Sequence, residues 1–263
     1  MKYTVLTLFP EICDSYFASS IMAKAVSRGI VEYLSINIRD FAVDKHRSCD
    51  DAPYGGGPGM LMLAEPLGRA LEAAGVRPLC QETRERDSNN CPRVIYLSPS
   101  GRPFNQNMAR KLAAEKELIL VCGRYEGIDQ RIIDIYVDEE ISVGDYVLSS
   151  GEIAALILID STYRLLEQVI TQASLEEESF ELGLLEYPQY TRPDIYATLK
   201  VPGILLSGHH ENIRRWRLEK MVEKTLALRP DLIMLGENRG LFNDETRKII
   251  EERRKADAGQ GER

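Results

Sequence analysis

The chain has 263 residues, of which 44% are hydrophobic, and its formal charge at pH 7 is −8. This length allows one large domain or two modest ones, while the negative charge repels polyanions, so nucleic-acid binding would have to come from local basic patches. The N-terminal segment lacks the pattern of a signal peptide, and no apolar run approaches the ~20 residues of a membrane-spanning helix. These features predict a soluble, cytoplasmic protein.

Strands and helices alternate over the first two thirds of the sequence. The strand "YTVLTLF", an amphipathic helix from Pro10 to about Gly29 and the strand "VEYLSINI" form a βαβ start. The pattern continues with a helix near Ala64–Ala74, the strand "RVIYLSP", a helix near Phe104–Lys116, the strand "LILVCG", a short helix from Gly127 and the apolar helix "IAALILIDSTYRLL". Such alternation predicts an α/β fold with a mostly parallel sheet.

The character of the sequence changes after this α/β part, which we place at residues 1–167. Residues 168–181, "QVITQASLEEESFE", are polar and acidic and lack an apolar period, which predicts a flexible linker. Residues 182–263 contain the helix "HHENIRRWRLEKMVEKTLALRP", closed by Pro230, and a last helix after Asn243. The tail is therefore predicted to be a small helical domain.

Three predicted strands end in turns rich in glycine or serine, "YLSPSGRP", "VCGRYEG" and "SVGDYVLSSGE". Ligands of open α/β sheets bind beyond the carboxyl ends of the strands, so these turns are expected to converge on one pocket. Taken singly, each turn is better explained as an ordinary loop, and it is the three together that indicate a pocket. None is a Walker loop, and none has G-x-G-x-x-G between a strand and a helix, which argues against a P-loop NTPase and a Rossmann dinucleotide enzyme.

Neither a metal site nor a disulfide framework is predicted. The five cysteines are odd in number, widely spaced and without a C-x-x-C pair. A framework of disulfides needs an even set, and a zinc site needs closely spaced ligands. The sequence therefore favours buried free thiols.

A long loop at residues 39–60 contains the basic cluster Lys45, His46 and Arg47 and ends in "GGGPGM". Structureless loops of this length in compact domains are commonly functional or disordered. The cluster is a candidate contact for the phosphates or bases of a nucleic acid. The alternative interpretation is a solvated surface loop.

The tail helix begins with three arginines around the single tryptophan of the chain: Arg214, Arg215, Trp216 and Arg217. This combination suits phosphate contact together with stacking on a base or sugar. In the alternative interpretation, Trp216 anchors the core of a small domain and the arginines solvate its rim.

Six motifs stand in a fixed order, "APYGGGPGM" (52–60), "VIYLSP" (94–99), "LVCGRYEGID" (120–129), "VGDYVLSSGE" (143–152), "YTRP" (190–193) and "LLSGHHENIRRWR" (205–217). In length and order they resemble the bacterial tRNA (guanine-N1)-methyltransferases, the TrmD family. The resemblance spans nearly the whole chain. It implies a knotted α/β fold of the SPOUT class followed by the helical domain, a homodimer whose active site uses both subunits, and no membrane attachment.

The resemblance also implies the reaction, in which a methyl group moves from S-adenosylmethionine to N1 of guanosine at position 37 of tRNA, next to the anticodon. Magnesium is suggested by the resemblance only. A second hypothesis is an RNA-binding relative with weakened catalysis, because Glu178 stands where the family usually has its aspartate base. A third is an unrelated small-molecule α/β enzyme, which leaves the "IRRWR" tail unexplained.

Carried over position by position, the resemblance assigns residues to three roles. The cofactor positions are Tyr96, Leu97, Ser98, Pro99, Gly123, Val143, Gly144, Asp145, Tyr146, Val147, Leu148 and Gly151. The catalytic positions are Glu126, which would face the guanine, Arg164, which would be the essential arginine, and Glu178, the general base, with Glu177 as a possible substitute. The tRNA contacts are expected at the two basic clusters, Lys45, His46 and Arg47 in the loop and Arg214, Arg215 and Arg217 in the tail.

Overall fold

A computed structural model of the chain describes residues 1–79, 91–171, 178–180 and 182–260, with the side chains of 257–260 left out. The chain divides into two compact units, Met1–Ile170 and Thr171–Arg263. Within the described residues, no helix is both long enough and apolar enough to cross a membrane.

The first unit is an α/β structure built on a five-stranded parallel sheet. Its strands are β1 (Lys2–Thr7), β2 (Glu32–Asn37), β3 (Asp50–Asp51), β4 (Leu61–Met62), β5 (Arg93–Pro103), β6 (Glu117–Cys122) and β7 (Glu139–Ser142). Its helices are α1 (Pro10–Phe17), α2 (Ser20–Ser27), α3 (Ala64–Ala73), α4 (Gln106–Ala113), α5 (Gln130–Tyr136) and α6 (Gly151–Tyr163). The parallel sheet has the order β2-β1-β6-β5-β7, which confirms the predicted parallel arrangement. The short strands β3 and β4 pair antiparallel in a separate ribbon.

Strand β6 lies at the centre of this sheet, and its side chains pack alternately in two hydrophobic cores. Leu118, Leu120 and Cys122 pack in one core with residues of α1, α2 and α6. Ile119 and Val121 pack in the other core with residues of α3 and α5. Because both faces of the sheet are covered, every position of the strand after Glu117 is apolar and buried, which explains the unalternated run "LILVC".

The single helix predicted from Pro10 to Gly29 is wrong, because the segment forms two helices with a break at Ala18–Ser19. The hydroxyl of Ser19 donates to the carbonyl of Ser15 at 2.7 Å, and Ser20 has a φ of 52°. Serine side chains compete in this way for the backbone groups that a continuous helix would pair.

Strand β5 is longer than predicted, because it leaves β7 and returns to it. Leu97 and Arg102 both stand opposite Ile141, so residues 98–101 form an excursion between two stretches of the same strand pair. Gly101 permits the return, since a Cβ there would lie 2.5 Å from the backbone nitrogen of Ile141. The excursion contains the serine-rich turn, in which the hydroxyls of Ser98 and Ser100 lie 2.7 Å apart.

The second unit is mostly helical. It contains a hairpin that was not predicted, β8 (Ile195–Tyr196) and β9 (Leu199–Lys200), and the helices α7 (His210–Leu228), α8 (Pro230–Asn238) and α9 (Asp244–Gln260). Pro230 follows the end of α7 and begins α8, where its missing N–H costs nothing. Its core is formed by Leu184, Tyr187, Leu218, Met221, Val222, Ile233, Phe242, Ile249 and Ile250.

Candidate active site

A cavity of about 350 Å³ opens at the excursion of β5 and at the ends of β6 and β7, and the three glycine- and serine-rich turns form its walls. Eleven of the twelve predicted cofactor positions line it: Tyr96, Leu97, Ser98, Pro99, Gly123, Val143, Gly144, Tyr146, Val147, Leu148 and Gly151. Asp145 does not line this cavity as the structure describes it. The structure thus brings together residues from three turns that lie as far apart in the sequence as Tyr96 and Gly151.

Glycines let the backbone segments of this pocket approach one another closely. The N–H of Gly151 donates to the carbonyl of Gly123 at 2.9 Å, which joins the start of α6 to the end of β6. A Cβ at Gly151 would lie 2.8 Å from Cα of Cys122 and from the nitrogen of Gly123. A Cβ at Gly123 would lie 2.9 Å from the ring of Tyr96. Side chains at either glycine would push the walls apart.

The third turn is held by hydrogen bonds within itself. The N–H of Gly144 donates to Oγ of Ser142 at 3.3 Å, and that hydroxyl donates to the carbonyl of Gly144 at 3.1 Å. The phenol of Tyr146 donates to the carbonyl of Val143 at 3.2 Å. The turn therefore presents a preformed wall rather than a loop that must be ordered by a ligand.

Tyr96 lines the pocket and is buried. Burial, together with the nearby carboxylate of Glu140, raises the pKa of Tyr96 to about 12. The ring therefore offers an apolar face and a hydroxyl without charge at neutral pH, which suits a wall that contacts an uncharged ring of a ligand.

Arg124 and Glu126 follow β6 and also line the pocket. The guanidinium carbon of Arg124 lies 4.2 Å from the centroid of the Phe9 ring, and its Nε is buried with no hydrogen-bond partner among the residues that the structure describes. Glu126 is exposed, and its N–H donates to the carbonyl of Met60 at 3.0 Å. Between them, Tyr125 has a φ of 57°, which turns the chain sharply at this point.

Sequence reasoning missed the packing of Arg124 on the ring of Phe9 and the contacts that support this ring. Glu152, the second residue of α6, is fully buried and accepts a hydrogen bond from Oγ1 of Thr7 at 2.5 Å. That hydroxyl in turn accepts from the N–H of Phe9 at 2.9 Å, so α6, β1 and the ring beneath Arg124 are connected. Thr7 and Glu152 are 145 positions apart in the chain, and no local pattern could have indicated the contact.

Arg164 does not meet the pocket of its own chain. It caps the C-terminal end of α6, whereas the pocket contains the first residues of that helix. A helix of 13 residues spans about 20 Å at 1.5 Å per residue. An arginine side chain cannot bridge that length within one chain.

Glu178 is half-buried in a short turn of the second unit, at residues 178–180. Its possible substitute, Glu177, lies outside the described residues. The pocket belongs to the first unit and this turn to the second.

The loop cluster is exposed and organised by an aspartate. Asp44 accepts hydrogen bonds from the N–H groups of His46 and Ser48, and the bond from the Ser48 backbone is the main cause of a lowered pKa of Asp44. Arg47 forms an ion pair with Asp40 at 3.1 Å, while Lys45 is exposed. All three basic side chains are accessible to a polyanion.

The tail arginines make contacts within the second unit. Arg214 pairs with Glu211 at 2.8 Å and with Glu245 at 2.9 Å, and Arg215 pairs with Glu219 at 3.1 Å. The remaining arginine and the tryptophan lie near aromatic rings: Arg217 is 4.7 Å from the centroid of Tyr187, and half-buried Trp216 is 6.4 Å from that of Tyr190. The cluster is therefore partly neutralised by its own glutamates.

Within the described residues, no group of three or more histidine, cysteine, aspartate or glutamate side chains is placed to hold a metal ion. These side chains do not form a magnesium site.

The family model described as tRNA (guanine-1)-methyltransferase TrmD matches residues 1–235. A Treponema denticola protein named tRNA (guanine-N(1)-)-methyltransferase is 58% identical over 252 residues, which cover 96% of this chain and 98% of that protein. A Treponema pallidum protein of the same name is 54% identical over 254 residues, or 96% of both chains. One from Borreliella burgdorferi is 54% identical over 247 residues, with 91% of this chain and 98% of that protein covered.

Proposed function

The chain belongs to the tRNA (guanine-1)-methyltransferase family, and we propose that it methylates N1 of guanosine at position 37 of tRNA, next to the anticodon, with S-adenosylmethionine as the donor. That it is a tRNA methyltransferase acting at N1 of guanine follows from the extent of the match and from the relatives above 50% identity. The alternative of an RNA-binding relative with weakened catalysis depends on Glu178 alone, and nothing else favours it.

The observation that carries the proposal is the pocket at the β5 excursion and the ends of β6 and β7, which is lined by eleven of the twelve expected cofactor positions. Its walls offer apolar side chains and the backbone groups of turns, which suit an adenosine held by its ring faces and edges. When bound, S-adenosylmethionine supplies a methyl group on a positively charged sulfur, which needs an aligned nucleophile rather than further activation.

The remaining chemistry falls to side chains that act on the guanine. Its N1 carries a proton, so the nitrogen becomes a good nucleophile when a base removes that proton and positive charge stabilises the negative charge on O6. We assign proton removal to Glu178 and charge stabilisation to Arg164. Glu126, at the pocket wall, is assigned to the guanine edge, where an accepting carboxylate holds the base in place.

A homodimer with shared active sites is supported by the position of Arg164, about 20 Å from the pocket of its own chain along α6. A second observation points the same way. Ile153 and Ile157 of α6 are 48% and 37% exposed, although the opposite face of the helix is fully buried. A helix that is apolar all round is normally covered on all sides, and a second copy of the chain would cover this one.

Three further features follow from family membership. We infer that the sheet of the first unit is knotted as in SPOUT proteins, that residues 168–181 link it to a tRNA-binding helical domain, and that the enzyme acts in the cytoplasm, where its tRNA substrates are found.

The reaction is tested with labelled S-adenosylmethionine and unmodified tRNA that has guanosine at position 37. We expect label in 1-methylguanosine after digestion, and none when position 37 is adenosine. Label at another nucleotide, or equal label in both tRNAs, would refute the assignment of the position, and absence of transfer to any tRNA would refute the activity.

The shared site is tested by mixing subunits. We expect Arg164→Ala and Glu126→Gln homodimers each to be slow, and mixtures to regain activity because one site in each mixed dimer has both residues intact. With free exchange about half the dimers are mixed, so activity should approach a quarter of wild type. If the mixed subunits transferred methyl groups no faster than the separate variants, Arg164 and Glu126 of the same subunit would belong to one site.

A further inference from the structure

The glycine-rich loop at residues 52–60 ends in a short hydrogen-bonded ladder against the turn that carries Glu126. The N–H of Glu126 donates to the carbonyl of Met60 at 3.0 Å, and the N–H of Met62 donates to the carbonyl of Gly127 at 3.0 Å. Asp129 continues the ladder through its N–H, which lies 3.2 Å from the carbonyl of Met62. The backbone of residues 126–129 is therefore fixed by the end of this loop.

Gly59, directly before the ladder, faces the side chain of Glu126. A Cβ at this position would lie 2.6 Å from Oε1 and 2.8 Å from Cδ of Glu126, and closer still to Cγ. Both distances are far below the 3.4 Å at which ordinary van der Waals contact begins. Glu126 thus has Gly59 on one side and the pocket on the other, and its present position requires the absence of a side chain at residue 59.

The other glycines of the loop lack this contact. Gly55, Gly56 and Gly57 also have positive φ values, yet a Cβ at any of them would meet nothing within 4 Å. The four glycines therefore share a backbone conformation, but only at Gly59 does the missing Cβ leave room for a pocket residue.

We propose that Gly59 is a positioning residue for methyl transfer, because the space that it leaves keeps the carboxylate of Glu126 at the pocket wall. This inference rests on the proposed function, in which Glu126 contacts the target guanine. A methyl group at residue 59 turns the exposed, flexible Glu126 side chain away and leaves the ladder intact, so cofactor and tRNA still bind while the guanine is misplaced. A misplacement of about 1 Å at a reacting group can slow a reaction roughly 100-fold.

Gly56→Ala is the matched control for Gly59→Ala. The two glycines have φ values of +79° and +83°, so both substitutions strain the same loop to the same degree, and only the second reaches Glu126. We expect Gly59→Ala to lower the single-turnover rate by about 10- to 100-fold, with dissociation constants for S-adenosylmethionine and tRNA within about threefold of wild type. Gly56→Ala should transfer methyl groups at close to the wild-type rate.

A double variant separates positioning from general damage to the loop. If Gly59 acts through Glu126, then adding Gly59→Ala to Glu126→Ala should change the rate little, since no carboxylate remains to be displaced. An equal loss in both backgrounds, or an equal loss in Gly56→Ala, would overturn the inference. So would full activity of Glu126→Ala. A wild-type enzyme that transfers no methyl group to tRNA would instead refute the proposed function, which distinguishes the two failures.

Discussion

Gly151→Ala tests whether the junction between α6 and β6 defines the cofactor pocket. The added Cβ would lie 2.8 Å from two backbone atoms at the end of β6, and ordinary contact begins at 3.4 Å, so the helix start must retreat by at least about 0.6 Å. Neither backbone atom can rotate away as a side chain would. The retreat also weakens the 2.9 Å hydrogen bond from Gly151 to Gly123, which contributes about 1 kcal/mol.

Overpacking of this kind costs about 1–3 kcal/mol, which for a chain of this size lowers the melting temperature by roughly 2–12 °C. If about 1.4 kcal/mol of the binding free energy of S-adenosylmethionine is lost, its dissociation constant rises about tenfold. Calorimetry and thermal unfolding measure the two effects. Gly203→Ala is the control, because a Cβ at Gly203 meets nothing within 4 Å. If Gly151→Ala bound the cofactor and unfolded as wild type does, the junction would not define the pocket.

Three other variants and conditions probe the tail, the linker and the buried thiols. Neutralising Arg214, Arg215 and Arg217 together should weaken tRNA binding and leave the affinity for S-adenosylmethionine unchanged. The slope of the logarithm of the tRNA binding constant against the logarithm of salt concentration should flatten by roughly 0.9 for each lost phosphate contact. If neither the tRNA affinity nor this slope changed, the three arginines would not contact tRNA. Glu178→Gln should keep both substrates bound but slow single-turnover transfer by ~100- to 10,000-fold, whereas Glu178→Asp remains active; full activity of the glutamine variant would exclude it as the base. Burial, together with the nearby carboxylate of Glu152, raises the pKa of Cys13 from 9.0 to about 12. The neutral thiol of Cys13 therefore contributes fully to the stability of the fold below pH 9, and this contribution is lost as the pH rises toward 12. Alkylation at pH 8 followed by peptide mapping should accordingly label half-buried Cys91 before Cys13, and equal labelling of native protein would contradict this.

The sequence patterns that were interpreted correctly are those in which local composition and burial agree. The run at β6 has no polar position because both faces of the strand are covered, and the alternation of strands with helices predicts parallel pairing. The break in the first helix was missed because the apolar period of α1 continues into α2, while the interruption depends on the hydroxyl of Ser19. Periodicity measures which face is buried and does not detect a competing hydrogen bond.

Features that depend on contacts between distant segments were not predictable. The return of β5 to β7 requires a partner strand that begins more than 30 residues later, so the strand seemed to end at its first turn residue. The two-residue strands β3, β4, β8 and β9 are too short to show a period of two. Likewise, Arg124 stands on Phe9 only because β1 and β6 are neighbours in the sheet. In each case the decisive information lies in the topology rather than in the local sequence.

The pocket and the proposed catalytic groups obey different constraints. The cofactor walls are backbone turns fixed by close packing at Gly123 and Gly151 and by the internal bonds of the third turn, and all of them belong to one unit of one chain. The proposed charged groups do not belong to this rigid wall. Arg164 lies at the far end of α6 from the pocket, and Glu178 belongs to the second unit. A rigid wall suits S-adenosylmethionine, whose shape is the same in every turnover. Proton removal from guanine is needed only when tRNA is present, so its groups can come from segments that the tRNA itself brings together. On this reasoning we expect the protein to bind S-adenosylmethionine without tRNA, and we expect the chemical step, rather than cofactor binding, to depend on the proposed dimer and on Glu178.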